Sequence, residues 1–494
     1  YIIDCKKNKK KVLIFGDYDV DGYSSTYLLY DFFSNLKIDC QYYIPDRLID
    51  GYGPNKLLLK KLIKKNNYNF IIFVDCGSNS KEEISFLERL GLKIIVIDHH
   101  QIYERKNYNN AIIINPLKNT SLNNYTYFCA TSLVYFFIKY LITILKVTKK
   151  IDLNKYLFFS AIATICDQMP LRGYNRLIVK DAFNNFNFNK FNNLKKIINI
   201  KDKITSSYVG FTLGPILNSA SRLGYPNLPI SLLVEKNNLN IDKIIKKLIF
   251  LNNKRKQIQN KTINLLKSES DLSKNEIIFK YKENINEGLL GIIASNFVEL
   301  YNKPTFILTN SNNLIKCSAR SISGYNIGNI FYYAIKKGII INGGGHSMAA
   351  GCTLKRNKLI KFKKLLNKIY KKKFSNDQNV KYFSSEQSFK SLFLFAKKEL
   401  QSLEPLGNNN INPFFLVKKN KIIKYKIIKN FHIQMIIKNK YNSSCLCFAF
   451  NAIDTRLGDI LMNSKKEIDL IVQINNKNIR KNSDFNLIIK DAIA

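Results

Sequence analysis

Tryptophan is absent from this sequence and histidine nearly so, with four in 494 residues. Nine cysteines occur, none in a C-x-x-C pair, and only Cys445 and Cys447 stand close together. That spacing excludes a cysteine zinc site or a disulfide framework and leaves the cysteines as small buried hydrophobes in a reducing compartment. Long uncharged apolar runs are missing too: Thr131–Val147 comes nearest to a membrane span and is broken by Lys139 and Lys146, so no membrane is expected. The amino end has no signal-peptide pattern and begins at Tyr1 instead of Met, which reads as a trimmed or processed start of a cytoplasmic protein. Negative charge is also in short supply, with 36 acidic residues against 78 basic ones and a formal net charge of +42.

That excess favours a polyanionic partner such as nucleic acid. Lysine dominates it, and asparagine and isoleucine are also abundant, so biased codon usage is a second source for part of the charge. The chain is too long for one core and divides into about three or four domains.

In a chain so poor in acids, the stretch Lys11–Gly22, KVLIFGDYDVDG, stands out. An apolar run, Val12–Phe15, breaks at Gly16 and sets Asp17, Asp19 and Asp21 at alternating positions before Gly22 and a helical segment, Tyr23–Leu36. The pattern predicts a buried strand and then a turn. Three carboxylates within five residues repel one another unless a cation sits between them. The unit then repeats: strands are predicted at Asp39–Ile44, Phe70–Val74 and Leu92–Ile97, with helices from Pro54 to about Lys65 and over Lys81–Leu90. Repeated βα units with continuous apolar strands predict an α/β fold with a doubly wound parallel sheet, in which ligands bind beyond the carboxyl ends of the strands. Asp17, Asp19, Asp21, Asp75, Asp98, His99 and His100 all fall at those ends. Two adjacent histidines there, out of four, favour metal ligation over the structural role usual for a lone histidine. The apolar helical run Tyr156–Pro170 carries one acid, Asp167. Alone it reads as a helix-end residue; beside an unfilled metal shell it reads as a further ligand.

The set GDYDVDG, VDCG (Val74–Gly77), DHH (Asp98–His100) and Asp167 resembles the DHH phosphoesterase superfamily, and within it the RecJ family of single-strand-specific exonucleases. DGYG (Asp50–Gly53), INP (Ile114–Pro116), GPILNSASRLG (Gly214–Gly224) and GGGHSMAAG (Gly343–Gly351) extend the likeness over almost the whole chain. The family's amino-terminal segment is expected to be reduced. The resemblance implies two divalent ions, Mn²⁺ or Mg²⁺, held by Asp19, Asp21, Asp75, His99 and Asp167. It makes Asp75 the bridge, leaves Asp17 among the ligands or just behind them, gives Asp98 the task of orienting an imidazole, and turns His100 to the scissile phosphate. An oxygen-rich donor set with one imidazole suits those ions better than structural zinc, and two ions about 3.5–4 Å apart can activate a water for in-line attack on phosphorus.

The implied activity is 5′→3′ hydrolysis of single-stranded DNA to 5′-mononucleotides in repair and recombination, by a monomer with a single-strand-binding protein or a helicase as accessory partner. Two rivals stand beside it: a DHH phosphodiesterase of short oligonucleotides or cyclic dinucleotides, and a non-catalytic strand-binding protein. Chain length, a long connecting helix and an extra β domain argue for a polymeric substrate; intact acids and histidines argue for catalysis.

Downstream, Ile241–Leu266 predicts one long helix. Glu276 to about Tyr370 predicts a second α/β unit, with strands at Ile277–Tyr281 and Thr305–Leu308 and a helix over Gly291–Leu300 between them. Within Gly214–Gly224, Asn218 and Arg222 are candidate nucleic-acid contacts, and the resemblance gives Arg222 a phosphate, a bidentate task that lysine cannot copy. The run Gly343, Gly344, Gly345 and His346, with Arg320 and Ser321, matches the family's DHHA1 domain and is expected to grip a strand end, its glycines leaving backbone N–H groups free for phosphate. By itself a glycine run is a turn more often than a site. Short strands at Gln434–Ile437, Cys445–Phe450, Ile468–Ile474 and Phe485–Ile489 predict a β-barrel that resembles an OB-like domain, a fold that holds single strands on basic grooves and stacked aromatics. Phenylalanine and tyrosine are too common for stacking residues to be chosen. The expected domains are 1–190 (DHH), 191–268 (helical connection), 269–372 (DHHA1) and 380–494 (OB-like), with Lys371–Lys381 as a linker.

Overall fold

The computed structural model describes residues 1–493 apart from 103–109, 119–124, 148–150, 188–190, 199–203, 270–271, 273–274, 312, 375–381, 440, 465 and 476–484. The chain forms two compact units, Tyr1–Phe374 and Ser375–Ala494.

The first unit opens with a parallel sheet of β1 (Val12–Phe15), β2 (Cys40–Tyr43), β3 (Phe70–Val74), β4 (Lys93–Ile97) and β5 (Ile112–Ile114), in the order β2-β1-β3-β4-β5. Every residue of β1 and β3 is buried. Alternate side chains enter two different cores: Val12, Ile14, Phe70 and Ile72 pack with the helices Val20–Asn35, Ala130–Leu145 and Leu153–Cys166, whereas Leu13, Phe15, Ile71 and Phe73 pack with Lys56–Lys65 and Lys81–Arg89. Coverage on both faces is why these strands read as unbroken apolar runs. Burying each such side chain stabilises the fold by roughly 1.5–3 kcal/mol. From β1 the chain turns one way to β2 and then crosses back to β3, so connections diverge between the carboxyl ends of β1 and β3 and leave a crevice there.

The predicted long helix is present as Asn238–Ser268, capped by the Asn237 side chain. A second sheet follows, in the order β6-β7-β8-β10-β9, of β6 (Ile278–Tyr281), β7 (Thr305–Ser311), β8 (Leu314–Arg320), β9 (Asn342–Gly345) and β10 (Ala349–Leu354); only β6 and β7 are parallel. All nine cysteines are free; seven are buried, and Cys40 and Cys166 are half-buried. Among the described residues no helix is long and apolar enough to cross a membrane.

The second unit is a closed barrel. Its strands are β11 (Ser385–Glu386), β12 (Phe415–Ile428), β13 (His432–Asn439), β14 (Ser444–Ala449), β15 (Ile468–Ile474) and β16 (Asn486–Ile493), ordered β11-β12-β13-β14-β16-β15, and a β12–β15 pairing closes five of them. The longest strand, β12, escapes the sequence reading. Its segment FLVKKNKIIKYKII is crowded with lysine, and register shifts between Val417 and Asn420 and between Ile422 and Lys424 break the period of two. The expected linker beyond Phe374 and the loop before β16 lie outside the described residues.

Candidate metal centre

The crevice is built by close packing. A Cβ on Gly16 would lie 2.0 Å from Thr26 Oγ1, and one on Gly22 would lie 2.5 Å from the Asp17 backbone, so the turn after β1 sits directly on the helix Val20–Asn35. Asp19 caps that helix, its Oδ1 accepting from Asp21 N–H at 3.0 Å and Gly22 N–H at 3.1 Å. Asp21 is held by a different helix end: its carboxylate accepts from Ala130 N–H (2.7 Å), Thr131 N–H (2.7 Å) and the Thr131 hydroxyl (2.6 Å). These donors belong to the amino end of Ala130–Leu145, where a negative charge is favoured.

Asp75 follows β3 with a φ of +60°, a left-handed conformation that costs a non-glycine residue about 1 kcal/mol or more. Asp98 follows β4 and accepts from the N–H groups of Ser78 (3.0 Å), His99 (2.7 Å) and His100 (3.1 Å). Its Oδ1 also lies 2.7 Å from His100 Nδ1, so the imidazole that Asp98 orients is that of His100. Burial opposes charge on both partners. The pair nevertheless holds the Asp98 carboxyl below the usual range and raises His100 to about 9.

His99 gathers the rest. Its Nε2 lies 3.3 Å from Asp75 Oδ1, 3.5 Å from Asp167 Oδ2 and 3.6 Å from Asp21 Oδ2. Burial and the neighbouring His100 lower its pKa, which leaves a neutral ring with a lone pair to donate. Three groups bring their ligand atoms within 4.8 Å of one another: Asp75, His99 and His100; Asp21, His99 and Asp167; and Asp17, Asp19 and Asp75. Asp75 belongs to two of them. Burial, and after it the surrounding carboxylates, pushes Asp17, Asp75 and Asp167 well above the ordinary range. Oδ1 of Asp17 and of Asp75 is buried without a hydrogen-bond partner. Buried carboxylate oxygens turned on one another require cations, and oxygen donors with imidazole fit Mn²⁺ or Mg²⁺.

Other predicted residues divide. His346, just past β9, reaches the centre, its ring 5.7 Å from that of His100 and 6.4 Å from that of His99. Desolvation in the crowded cleft, then His100 and His99, pushes it down to about 4 although one side stays open to water. Arg222 donates to Gly288 O at 2.9 Å; burial, then Arg47, Arg320 and Arg255, lowers it to about 9, and burial with Arg47 lowers Arg320 to about 10. Asn218 accepts from Val20 N–H at 3.0 Å and so braces the metal loop. Ser321 does not reach the cleft surface: it is buried and its hydroxyl donates to Tyr325 O. Gly343, Gly344 and Gly345 lie in the edge strand β9, opposite Cys352, Gly351 and Ala350 in β10, and a Cβ on Gly345 would lie 2.3 Å from Ala349 O. Tight hairpin packing is the reason for glycine there.

Sequence reasoning missed Thr131, Tyr52, whose hydroxyl lies 3.2 Å from His100 Nδ1, and Arg47, which covers the Tyr18 ring at 5.2 Å. The scarcity of arginine was a usable signal for Arg47. In the second unit, Phe448 and Phe450 lie 6.0 Å apart and 8° from parallel, with His432 5.4 Å from Phe450. Phe448 is opposite Gln434, which is opposite Lys426.

Residues 11–164 match the DHH family, N-terminal domain, residues 274–372 the DHHA1 domain, and residues 385–491 the RecJ OB domain. The chain is 28% identical over 499 residues to the single-stranded-DNA-specific exonuclease RecJ of Bacillus subtilis, covering 98% of this chain and 61% of that protein. It is 26% identical over 517 residues to RecJ of Haemophilus influenzae, covering 99% and 88%. The chain therefore spans about three fifths of the first relative's length. The crystal structure of RecJ in complex with Mn²⁺ from Thermus thermophilus superposes with a TM-score of 0.81 at 20% identity, over 100% of this chain and 70% of that one, and the Mg²⁺ complex with 0.73 at 18%, over 99% and 68%. That likeness is one of fold: a parallel-sheet domain, a second α/β domain and a barrel.

Proposed function

We propose that this chain, which belongs to the RecJ family of the DHH superfamily, is a metal-dependent exonuclease that hydrolyses single-stranded DNA to 5′-mononucleotides. One observation carries the reading: donors from four separated segments converge on Asp75 and His99, with buried carboxylate oxygens left unpartnered. Asp19, Asp21, Asp75, His99 and Asp167 would hold two Mn²⁺ or Mg²⁺ ions, with Asp17 beside them. Bound there, the ions supply an activated water and neutralise charge at phosphorus.

The chain's own residues do the rest. Thr131 and Ala130 fix the Asp21 carboxylate in one orientation. Asp98 orients the His100 ring and favours its charged form, so that the imidazolium would donate to a non-bridging phosphate oxygen. Arg222, Arg320 and Arg47 offer forked donors for the next phosphates, with His346 and the β9–β10 hairpin closing over the strand. The barrel's Phe448, Phe450 and Lys426 suit a single strand on its outer face. The 5′→3′ direction, the role in repair and recombination, the accessory partners and the division at 190, 268 and 372 follow the family resemblance.

Digestion of end-labelled single and double strands with Mn²⁺ tests this. The expected result is mononucleotides from the 5′ end of the single strand, none from the duplex and none in EDTA. Cleavage confined to a dinucleotide would instead favour a small-substrate phosphodiesterase, and tight strand binding without release a non-catalytic one.

A further inference from the structure

The sequence offers no means of choosing among its aromatic residues, but one group stands open beside the metal centre. The rings of Tyr125 and Phe128 lie 6.3 Å apart and 13° from parallel, and those of Tyr125 and Tyr174 lie 5.8 Å apart. Phe128 is buried and anchors the group, whereas Tyr125 is 41% and Tyr174 48% exposed. Arg172, also exposed, sets its guanidinium over the Tyr127 ring at 5.4 Å.

Both chain segments that carry this group lead directly from the metal centre. Phe128 is followed by Cys129 and then by Ala130 and Thr131, whose N–H groups hold Asp21. Arg172 and Tyr174 come shortly after Asp167. Asn175 joins the two segments, its Nδ2 donating to Tyr127 O at 2.7 Å and to Pro170 O at 3.1 Å. The rings are thus fixed relative to the proposed ligands.

Folding gains little from holding two large rings side by side with nearly half of each left in water. An unpaired nucleobase fits such faces whatever its identity, and an adjacent arginine adds a cation for the backbone and a π partner. A duplex hides its base faces and cannot use them. The geometry points to Tyr125 and Tyr174, beside Arg172, as a stacking site for the bases of an unpaired polynucleotide whose backbone is held at the metal centre. The assignment rests on the exonuclease reading and adds to it the place where base faces are recognised.

The test uses the full chain with Y125A/Y174A and Y125F/Y174F, and reads fluorescence anisotropy without added metal. The probes are oligothymidylate and an abasic deoxyribose phosphate strand of equal length. Stacking on an aromatic ring contributes about fivefold or more in affinity per base. The alanine pair should therefore lose about tenfold or more on oligothymidylate and less than about twofold on the abasic strand, and the phenylalanine pair should keep the parent affinity. Equal losses on both probes, no loss on either, or no binding of oligothymidylate by the parent would overturn the site. A protein-docking role for the patch would appear as no loss on either probe. Release of mononucleotides from end-labelled oligothymidylate with Mn²⁺ separates the two claims. A parent that binds through base faces but releases no nucleotide refutes the exonuclease and keeps the platform; a parent that releases nucleotides while the alanine pair binds normally does the reverse.

Discussion

Replacing Asp75 with asparagine should stabilise the metal-free protein while abolishing hydrolysis. Asp75 is 2% exposed, its Oδ1 has no hydrogen-bond partner, and Asp21, Asp19, Asp17 and Asp167 surround it. Burial, then those charges, raises its pKa in the fold. A carboxyl raised in this way contributes stability that is complete below the unfolded pKa, about 4, and is lost as pH climbs through the folded value. At neutral pH without metal, Asp75 is therefore a cost. A buried unsatisfied acceptor costs about 1–3 kcal/mol, and more when charged. Asparagine keeps the shape, and its amide can donate to neutral His99 Nε2, which lies 3.3 Å from the present Oδ1. A gain of about 1–3 kcal/mol, or about 1–4 °C in Tm for a unit of this size, is expected in EDTA. Metal reverses the order, because an ion at a hundred times its Kd adds about 2.7 kcal/mol to the parent and little to the variant. Thermal melts of both proteins, in EDTA and in Mn²⁺, at neutral and mildly acidic pH, read all of this. The EDTA gap should narrow on acidification. A variant that melts below its parent in EDTA, or gains as much from Mn²⁺, refutes the reasoning.

Thr131→Val removes the hydroxyl that bonds Asp21 but keeps its shape and both backbone donors; Mn²⁺ affinity should fall about tenfold, measured by titration. Gly22→Ala drives a Cβ to 2.5 Å from the Asp17 backbone, where nothing flexible can yield, and should destabilise the first unit by about 3 kcal/mol in urea unfolding. Arg222→Lys keeps the charge and loses the fork that both anchors on Gly288 O and offers a second N–H to phosphate. KM for a single strand should rise about tenfold with kcat nearly unchanged, and an unchanged KM would remove Arg222 from the strand path.

What could be read from the sequence was whatever one segment carries alone. β1 and β3 are continuous apolar runs because helices cover both faces, and each is followed within two residues by an aspartate, so strand and candidate site residue were marked together. The rule that parallel strands gather their carboxyl ends then brought Asp19, Asp75 and His99 into one crevice without coordinates. What one segment does not carry stayed hidden. Thr131 grips Asp21 from 110 positions away, and no local pattern distinguishes it from any other helix-start threonine. β12 was hidden because its bulges and lysines cancel the alternation that marks a strand. The strand formed by Gly343–Gly345 was hidden because sequence shows the missing side chain but not the β10 backbone that excludes one.

The charge pattern also explains why metal and strand should bind together. The chain carries +42 overall, yet it concentrates Asp17, Asp19, Asp21, Asp75, Asp98 and Asp167 in one crevice. A phosphodiester drawn in by the basic surface meets these acids as like charges. Close by, burial and, after it, the charges of Arg47, Arg320 and Arg255 lower the pKa of Arg222, and an anion among these arginines relieves their repulsion. Each half of the site therefore carries the charge that the other component complements: the acids suit cations, and the arginines suit an anion. A phosphodiester bound across divalent ions satisfies both halves at once. By linkage, whatever factor Mn²⁺ adds to strand affinity, the strand must add to Mn²⁺ affinity.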